Sequence, residues 1–155
     1  MSESIVCALM IGRKGSIGFP GKNVYPVLGR PLAAYPLLAA NNSSYVQRLF
    51  VSTDSPEIMA IAEDHDAELI ERPPELATKK ALGEDVFAHG YQEIKGTLAK
   101  EGLSIELIVL LFANAATLNS ELIDKGIDIL RADESFDSAV TTSIYNMWSP
   151  LRARK

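Results

Sequence analysis

The segment from Gly12 to Asn23 carries the densest combination of chemically active residues in the chain. It contains four glycines at three-residue spacing and three cations, Arg13, Lys14 and Lys22. Glycines let the backbone pass close to a ligand, and backbone N–H groups combined with fixed positive charges suit a polyphosphate. We therefore interpret this segment, called the first loop below, as a phosphate-binding loop.

Two common phosphate-binding fingerprints do not fit the first loop. A P-loop has the form Gly-x-x-x-x-Gly-Lys-Ser/Thr, but here Ser16 stands at the outer glycine position and Asn23 at the last position. A dinucleotide-binding fingerprint requires Gly-x-Gly, which the loop does not contain. Composition alone therefore leaves open a glycine-rich surface loop whose basic side chains are solvated.

Other titratable residues are more simply explained as structural. His65 lies in an acidic helix end and is predicted to be solvated, and His89 is predicted to pack or cap within a helix. Glu84 and Asp85 are predicted to form a solvated acidic helix start, because adjacent side chains diverge on a helix and are poorly placed to bind the same metal ion. Cys7 is predicted to be a small core residue.

Segments of strand length alternate with helical patterns along the chain. The predicted strands are Ile5–Ile11, Arg48–Ser52, Glu68–Glu71, Leu107–Phe112 and Ser138–Ser143. Helices are predicted after Pro56, through Val86 to Leu98, and through Ile123 to Leu130, where apolar residues recur at helical spacing. An earlier helix is expected from Pro31 to about Ala40, with a kink at Pro36.

This alternation predicts a single α/β domain over residues 1–155 with a mostly parallel sheet covered on both faces. In open parallel sheets, ligands bind beyond the carboxyl ends of the strands. The first loop directly follows the first predicted strand, so the fold would place it at that edge.

Composition excludes several classes of protein. The 155 residues are 47% hydrophobic and 23% charged with a net charge of -5, which excludes disordered and fibrous chains and argues against a nucleic-acid-coating protein. The apolar run Ile5–Ile11 is too short to span a bilayer, and the first four residues lack the basic start of a secretory signal. With one cysteine and therefore no internal disulfide, we expect a cytoplasmic protein with neither a nucleic-acid nor a membrane partner.

The first loop also resembles the opening signature of the acylneuraminate cytidylyltransferases, in the form Arg13-x-Gly-Ser-x-Gly-x-Pro-Gly-Lys-Asn23. The resemblance continues in the family's order at residues 28–32, 51–54 and 71–77. It implies a Rossmann-like, three-layer nucleotidyltransferase fold. It further implies transfer of CMP from CTP to a sialic-acid-like keto-sugar acid with release of pyrophosphate, a Mg²⁺ cofactor, and a homodimer in the full-length form.

The same resemblance implies the site residues. It carries over Arg13, Ser16, Lys22, Asn23 and Arg72 as nucleotide-binding positions. Lys14 and Gly15 of the same loop are predicted to bind the nucleotide beside them. Arg13 and Lys22 would also be catalytic, because positioning and charge neutralisation dominate phosphoryl transfer. The alternative for Arg72 is a surface ion pair with Glu71 or Glu75. For Asp54 we favour a structural role as N-cap of the helix entered through Pro56.

The chain departs from the family pattern at three places. Ile17 stands where the family usually has lysine and Lys14 where it usually has glycine, so we interpret Lys14 as a replacement for the missing cation. Phe112 stands where a glutamine usually faces the acceptor, and it cannot donate a hydrogen bond to a sugar hydroxyl. Asn114 and Thr117 are then the best polar candidates for acceptor binding, although Asn114 could instead shape a turn.

Family members continue well past residue 155. We therefore expect this chain to be a C-terminally truncated form of a longer one, and its metal ligands are unknown. Two alternatives stay open at this point: a nucleotidyltransferase for another base or sugar, and a nucleotide-binding remnant without catalysis.

Overall fold

The computed structural model describes residues 3–15, 19–78 and 81–142. In these ranges strands and helices alternate as the sequence predicted. The strands are β1 (Glu3–Gly12), β2 (Pro26–Val27), β3 (Arg30–Pro31), β4 (Val46–Thr53), β5 (Glu68–Glu71) and β6 (Leu103–Phe112). The helices are α1 (Ala34–Asn41), α2 (Pro56–Glu63), α3 (Gly83–Lys100) and α4 (Ser120–Ala132).

Four of the strands form one sheet in the order β5-β4-β1-β6, and every pairing in it is parallel. The sequence prediction of a parallel sheet is therefore confirmed. β2 and β3 form a separate antiparallel hairpin. Because the four strands run in the same direction, their carboxyl ends lie at one edge, where Gly12 pairs with Thr53 and Ile11 with Phe112.

The central strand β1 is covered by helices on both faces. Residues 5–10 are at most 4% exposed, as expected for a strand read as a continuous apolar run. Val6, Ala8 and Met10 pack in one core cluster that also contains residues of α1, α2 and α4. The alternate residues pack in a second cluster with Ile94 and Leu98 of α3. The result is the three-layer α/β arrangement that was predicted.

Cys7 belongs to the second cluster and is fully buried, which confirms its prediction as a core residue. Burial raises the pKa of its thiol to about 11. α3 lies very close to β1 at Gly90, where an added Cβ would come within 2.6 Å of Leu9 Cδ2. Glycine at this position therefore sets the separation of helix and sheet.

Two predictions about elements are wrong. α1 begins at Ala34, so Pro36 lies in its first turn, where the N–H that proline lacks needs no helical partner. The expected kink therefore does not arise. Residues 138–142 form no strand, because no described strand pairs with them, and Val140 is 80% exposed. The last residue of that predicted strand, Ser143, lies outside the described residues.

Within the described ranges, no helix combines the length and apolarity needed to cross a membrane.

Candidate active site

A cleft of about 460 Å³ lies at the carboxyl edge of the sheet, where the first loop leaves β1. Its polar lining consists of Arg13, Lys22, Asn23, Arg72, Thr78 and Asn114. Its apolar lining includes Leu76, Leu82, Val86 and Phe112. One cleft therefore presents a basic wall, formed by Arg13, Lys22 and Arg72, beside an apolar wall formed by the residues just named. Such a cleft suits a ligand that has both an anionic and a less polar part.

The backbone of the first loop depends on glycine at two described positions. Gly15 and Gly21 have φ values of 75° and 72°, a region that glycine adopts without strain. Gly21 precedes a short 3-10 turn, Lys22–Val24, and Asn23 O accepts a hydrogen bond from Ala33 N at 2.7 Å. The hydrogen bond holds this turn against the start of α1, and both Lys22 and Asn23 line the cleft.

The structure brings together most of the predicted nucleotide-binding residues. Arg13, Lys22, Asn23 and Arg72 line the cleft, whereas Lys14 and Gly15 line an adjoining cavity of about 230 Å³. Arg13 and Asn23 line both spaces and so form the wall between them. Ser16 lies outside the described residues, so its predicted role stays a prediction.

The cations of the first loop are not held in salt bridges within the described part of the chain. Arg13, Lys14 and Lys22 form no salt bridge with any carboxylate in residues 3–15, 19–78 and 81–142. Cations that are not held in salt bridges attract anions and form charge-assisted hydrogen bonds with phosphate oxygens. The basic wall can therefore bind a polyphosphate without first breaking an ion pair.

Arg72 is buried, with 8% of its surface exposed. Its Nη2 donates to the carbonyls of Gly12 and Ser52, and its Nε donates to Ser52 Oγ at 3.3 Å. Burial lowers the pKa of Arg72, the Asp54 carboxylate opposes that change, and the nearby positive charge of Arg13 adds to it. The alternative of a surface ion pair is wrong: Arg72 joins the ends of β1 and β4 beneath the cleft.

Asn23 supplies a second polar group at the cleft. The residue is 9% exposed, and its Oδ1 has no hydrogen-bond partner in the described part of the chain. A buried acceptor without a partner costs about 1–3 kcal/mol. Because Asn23 lines the cleft, a ligand hydroxyl or amino group that donates to Oδ1 would recover that cost.

The two residues predicted for acceptor binding differ in position. Asn114 lies in the turn after β6 and lines the cleft, so it can shape the turn and still contact a ligand. Thr117 is exposed and does not belong to the cleft lining. Phe112 lines the cleft and packs edge-on against Phe87, with ring centroids 5.4 Å apart.

Sequence reasoning missed the role of Asp54. The N-cap of α2 is Ser55, so the predicted capping role of Asp54 is wrong. Asp54 Oδ1 instead accepts a hydrogen bond from the backbone N–H of Lys14 at 2.8 Å. The two residues are 40 positions apart in the chain, and no local pattern indicates this contact.

The remaining titratable candidates lie outside the cleft. His65 and His89 are half-buried, and neither lines the cleft. Glu84 and Asp85 are both exposed at the start of α3, which confirms the prediction of a solvated acidic start. Among the described residues, no group of three or more His, Cys, Asp or Glu side chains could hold a metal ion.

Comparison with known families shows the family of this chain. Residues 7–146 match the family model described as cytidylyltransferase. The chain belongs to the cytidylyltransferase family. Its fold is correspondingly the Rossmann-like α/β nucleotidyltransferase fold.

Curated relatives support the assignment. The chain is 38% identical over 84 residues to the N-acylneuraminate cytidylyltransferase of Escherichia coli O18:K1:H7, covering 54% of this chain and 20% of that protein. It is 26% identical over 147 residues to a Helicobacter pylori protein named pseudaminic acid cytidylyltransferase and UDP-2,4-diacetamido-2,4,6-trideoxy-beta-L-altropyranose hydrolase, covering 94% of this chain and 27% of that protein.

A solved structure supports the fold. The CMP:2-keto-3-deoxy-manno-octonic acid synthetase complexed with CTP superposes with a TM-score of 0.69 at 16% identity, covering 86% of this chain and 50% of that one. The chain therefore spans about half the length of this solved structure, and about a quarter or less of the two curated relatives.

Proposed function

We propose that this chain binds CTP in the cleft and transfers CMP to a sialic-acid-like keto-sugar acid, releasing pyrophosphate. The observation that carries the proposal is the basic wall, where Arg13 and Lys22 line the cleft and form no salt bridge with any described carboxylate. Membership of the cytidylyltransferase family supports CTP as the nucleotide. The names of two curated relatives, which refer to N-acylneuraminate and pseudaminic acid, support a sugar-acid acceptor.

Each residue of the basic wall has a proposed role in this reaction. The acceptor hydroxyl oxygen attacks the α-phosphorus, the bond from that phosphorus to the bridging oxygen breaks, pyrophosphate departs with the bond's electrons, and the hydroxyl proton passes to solvent water. Arg13 and Lys22 neutralise the charge that develops on the departing phosphates. Asn23 Oδ1 accepts a hydrogen bond from the nucleoside. Arg72 holds the ends of β1 and β4 in place and adds positive charge beneath the ligand.

Lys14 and Gly15 have a proposed role at the adjoining cavity. Lys14 lies next to Arg13 in the chain, so the end of the triphosphate that passes Arg13 would meet its ammonium group and the nearby loop N–H groups. This position suits the interpretation of Lys14 as the replacement for the cation absent at Ile17, a residue outside the described ranges.

The apolar wall bears on the acceptor. Phe112 and Leu82 offer surface and no hydrogen-bonding group, so a less polar part of the acceptor packs there. Asn114 is then the proposed hydrogen-bonding partner of the sugar acid, and we withdraw Thr117 from this role because it is not part of the cleft lining.

The described residues do not by themselves fit Mg²⁺. Magnesium prefers oxygen ligands, usually one or two carboxylates together with substrate phosphates. In the described ranges no carboxylate lines the cleft, and Glu57 is the single carboxylate that lines the adjoining cavity, where it accepts a hydrogen bond from Ser55 Oγ. We assign no step to the metal, so Mg²⁺, like the homodimer and the cytoplasmic location, stays a prediction from the sequence.

Calorimetric titration with CTP, UTP, ATP and GTP tests the nucleotide. We expect CTP to bind most tightly, and stronger binding of another nucleotide would overturn the assignment of the base. A pyrophosphate-release assay with CTP and either N-acetylneuraminate or pseudaminate tests the transfer. Release that requires an acceptor supports an enzyme, whereas tight CTP binding without release under any acceptor identifies a binding protein.

A further inference from the structure

Asp54 contacts the first loop from a different part of the chain. It directly follows β4, is half-buried, and accepts the N–H of Lys14 at 2.8 Å. Lys14 N belongs to the peptide bond that joins it to Arg13. The hydrogen bond therefore fixes the backbone at the point from which both cationic side chains leave the loop.

The role of Asp54 is not that of a counter-ion in contact. Asp54 forms no salt bridge with Arg13, Lys14 or Arg72, although its charge acts on Arg72 through space. Nor does it cap α2, whose N-cap is Ser55. Asp54 is also absent from the linings of the cleft and of the adjoining cavity. What remains is its hold on the loop backbone.

We propose that Asp54 is a positioning residue of the CTP site, which holds the Lys14 N–H so that Arg13 and Lys14 point towards the phosphates. This inference rests on the proposed function. It gives the end of β4, where Asp54 lies, a part in phosphate binding. Asp54 acts through the loop and does not touch the nucleotide.

Two effects of removing this carboxylate have opposite signs. Loss of a negative charge makes the site more positive, so electrostatics alone would tighten the binding of a triphosphate. Loss of the hydrogen bond frees the loop backbone, so the cations must be ordered when CTP binds, and affinity falls. The direction of change therefore distinguishes positioning from simple charge.

Three variants separate these effects. Asp54→Ala removes charge and acceptor, whereas Asp54→Asn removes the charge and keeps an oxygen that can accept from Lys14 N–H. The matched control is Asp133→Ala, since Asp133 Oδ1 accepts the N–H of Ser135 at 2.9 Å just after α4, and Asp133 is not part of the cleft lining. CTP and CMP dissociation constants are measured for each variant by calorimetry, together with thermal unfolding.

We expect Asp54→Ala to weaken CTP binding about five- to tenfold, the scale of one hydrogen bond, and to change CMP binding less. Asp54→Asn should restore CTP affinity to the wild-type value or better, and Asp133→Ala should leave it unchanged. Unchanged or tighter CTP binding by Asp54→Ala overturns the inference, as does an Asp54→Asn variant as weak as Asp54→Ala.

A measurement on the wild-type protein covers the case in which Asp54→Ala does not fold. The amide of Lys14 should exchange its hydrogen with solvent more slowly than an unbonded loop amide, and free exchange would overturn the inference. The two proposals fail differently. A wild-type chain that binds no CTP refutes the proposed function. A CTP dissociation constant that Asp54→Ala leaves unchanged refutes only the positioning role.

Discussion

The two ends of the parallel sheet use the same residue types in opposite ways. At the amino end, Arg48 donates to Glu68 and to Glu101, with N–O distances of 2.6 Å in both cases. The hydrogen bonds that Arg48 donates to the Glu68 carboxylate are the main cause of the raised pKa of Arg48. At the carboxyl end, no described carboxylate forms a salt bridge with any of the cations Arg13, Lys14, Lys22 and Arg72.

This difference separates cations that stabilise the fold from cations that are available to a ligand. A paired guanidinium holds neighbouring elements together, and an anionic ligand would have to displace its partners. Arg13 and Lys22, which line the cleft without a salt bridge in the described residues, contribute little to the fold and gain hydrogen bonds when an anion binds, whereas Arg72 also joins β1 to β4. The predictions that follow test this separation between the two ends of the sheet, beginning with the largest expected effect.

The first prediction concerns the carboxyl end. Arg13→Ala should weaken CTP binding by about 1.5–3 kcal/mol, because a charge-assisted hydrogen bond to phosphate is lost. The free energy of unfolding should change by less than about 0.5 kcal/mol, because Arg13 has no ionic partner in the described structure to lose. Calorimetry and urea unfolding measure the two quantities. An unchanged dissociation constant would remove Arg13 from the phosphate site.

The second prediction is the reverse case at the amino end. Arg48→Met should lower the free energy of unfolding by about 1–2 kcal/mol, because two carboxylates lose a shared partner at a half-buried position. The CTP dissociation constant should stay within about twofold of the wild-type value, since Arg48 lies at the end of the sheet away from the cleft. A large loss of CTP affinity would contradict the separation of the two ends.

The third prediction tests the scaffold between the ends. Gly90→Ala should destabilise the fold by about 1 kcal/mol, because the new methyl group overlaps buried Leu9 by more than helix propensity compensates. Gly96→Ala, in the same helix with no atom within 4 Å of its added Cβ, should instead stabilise by about 0.5–1 kcal/mol. Urea unfolding measures both. Equal effects at both positions would show that close packing at Gly90 does not limit the fold.

The fourth prediction concerns the cation that has moved within the first loop. Lys14→Gly should weaken CTP binding by about 0.5–1 kcal/mol, because one partly screened charge near the phosphates is lost. Adding Ile17→Lys should restore part of the loss if the two positions are alternatives. In a calorimetric double-mutant cycle, purely additive effects would argue against compensation.

Local sequence patterns predicted the scaffold well. The continuous apolar run of β1 and the helical spacing in α3 arise within single elements, so the pattern contains the information. The glycines and lysines of the first loop predict phosphate binding, and this stays a prediction. The error at α1 was also local, because Pro36 is harmless in a first turn and the helix start was placed three residues early.

Contacts between distant residues could not be predicted in this way. Asp54 meets Lys14 across 40 residues, and Arg72 meets Gly12 across 60. Such pairs depend on parallel strands bringing their carboxyl ends to one edge. The acidic neighbours of Arg72 in the chain suggested a surface ion pair. Arg72 instead donates to Gly12 and Ser52, which the parallel sheet places beside it.

The central claim is that the basic wall binds the phosphates of CTP, and a comparison of CTP with CMP tests it most directly. Calorimetric titration of the wild-type chain should give a dissociation constant for CTP at least about tenfold lower than that for CMP, because the two additional phosphates reach cations that CMP leaves unpaired. Equal affinity for CTP and CMP would contradict the claim, because the unpaired cations would then contribute nothing to nucleotide binding.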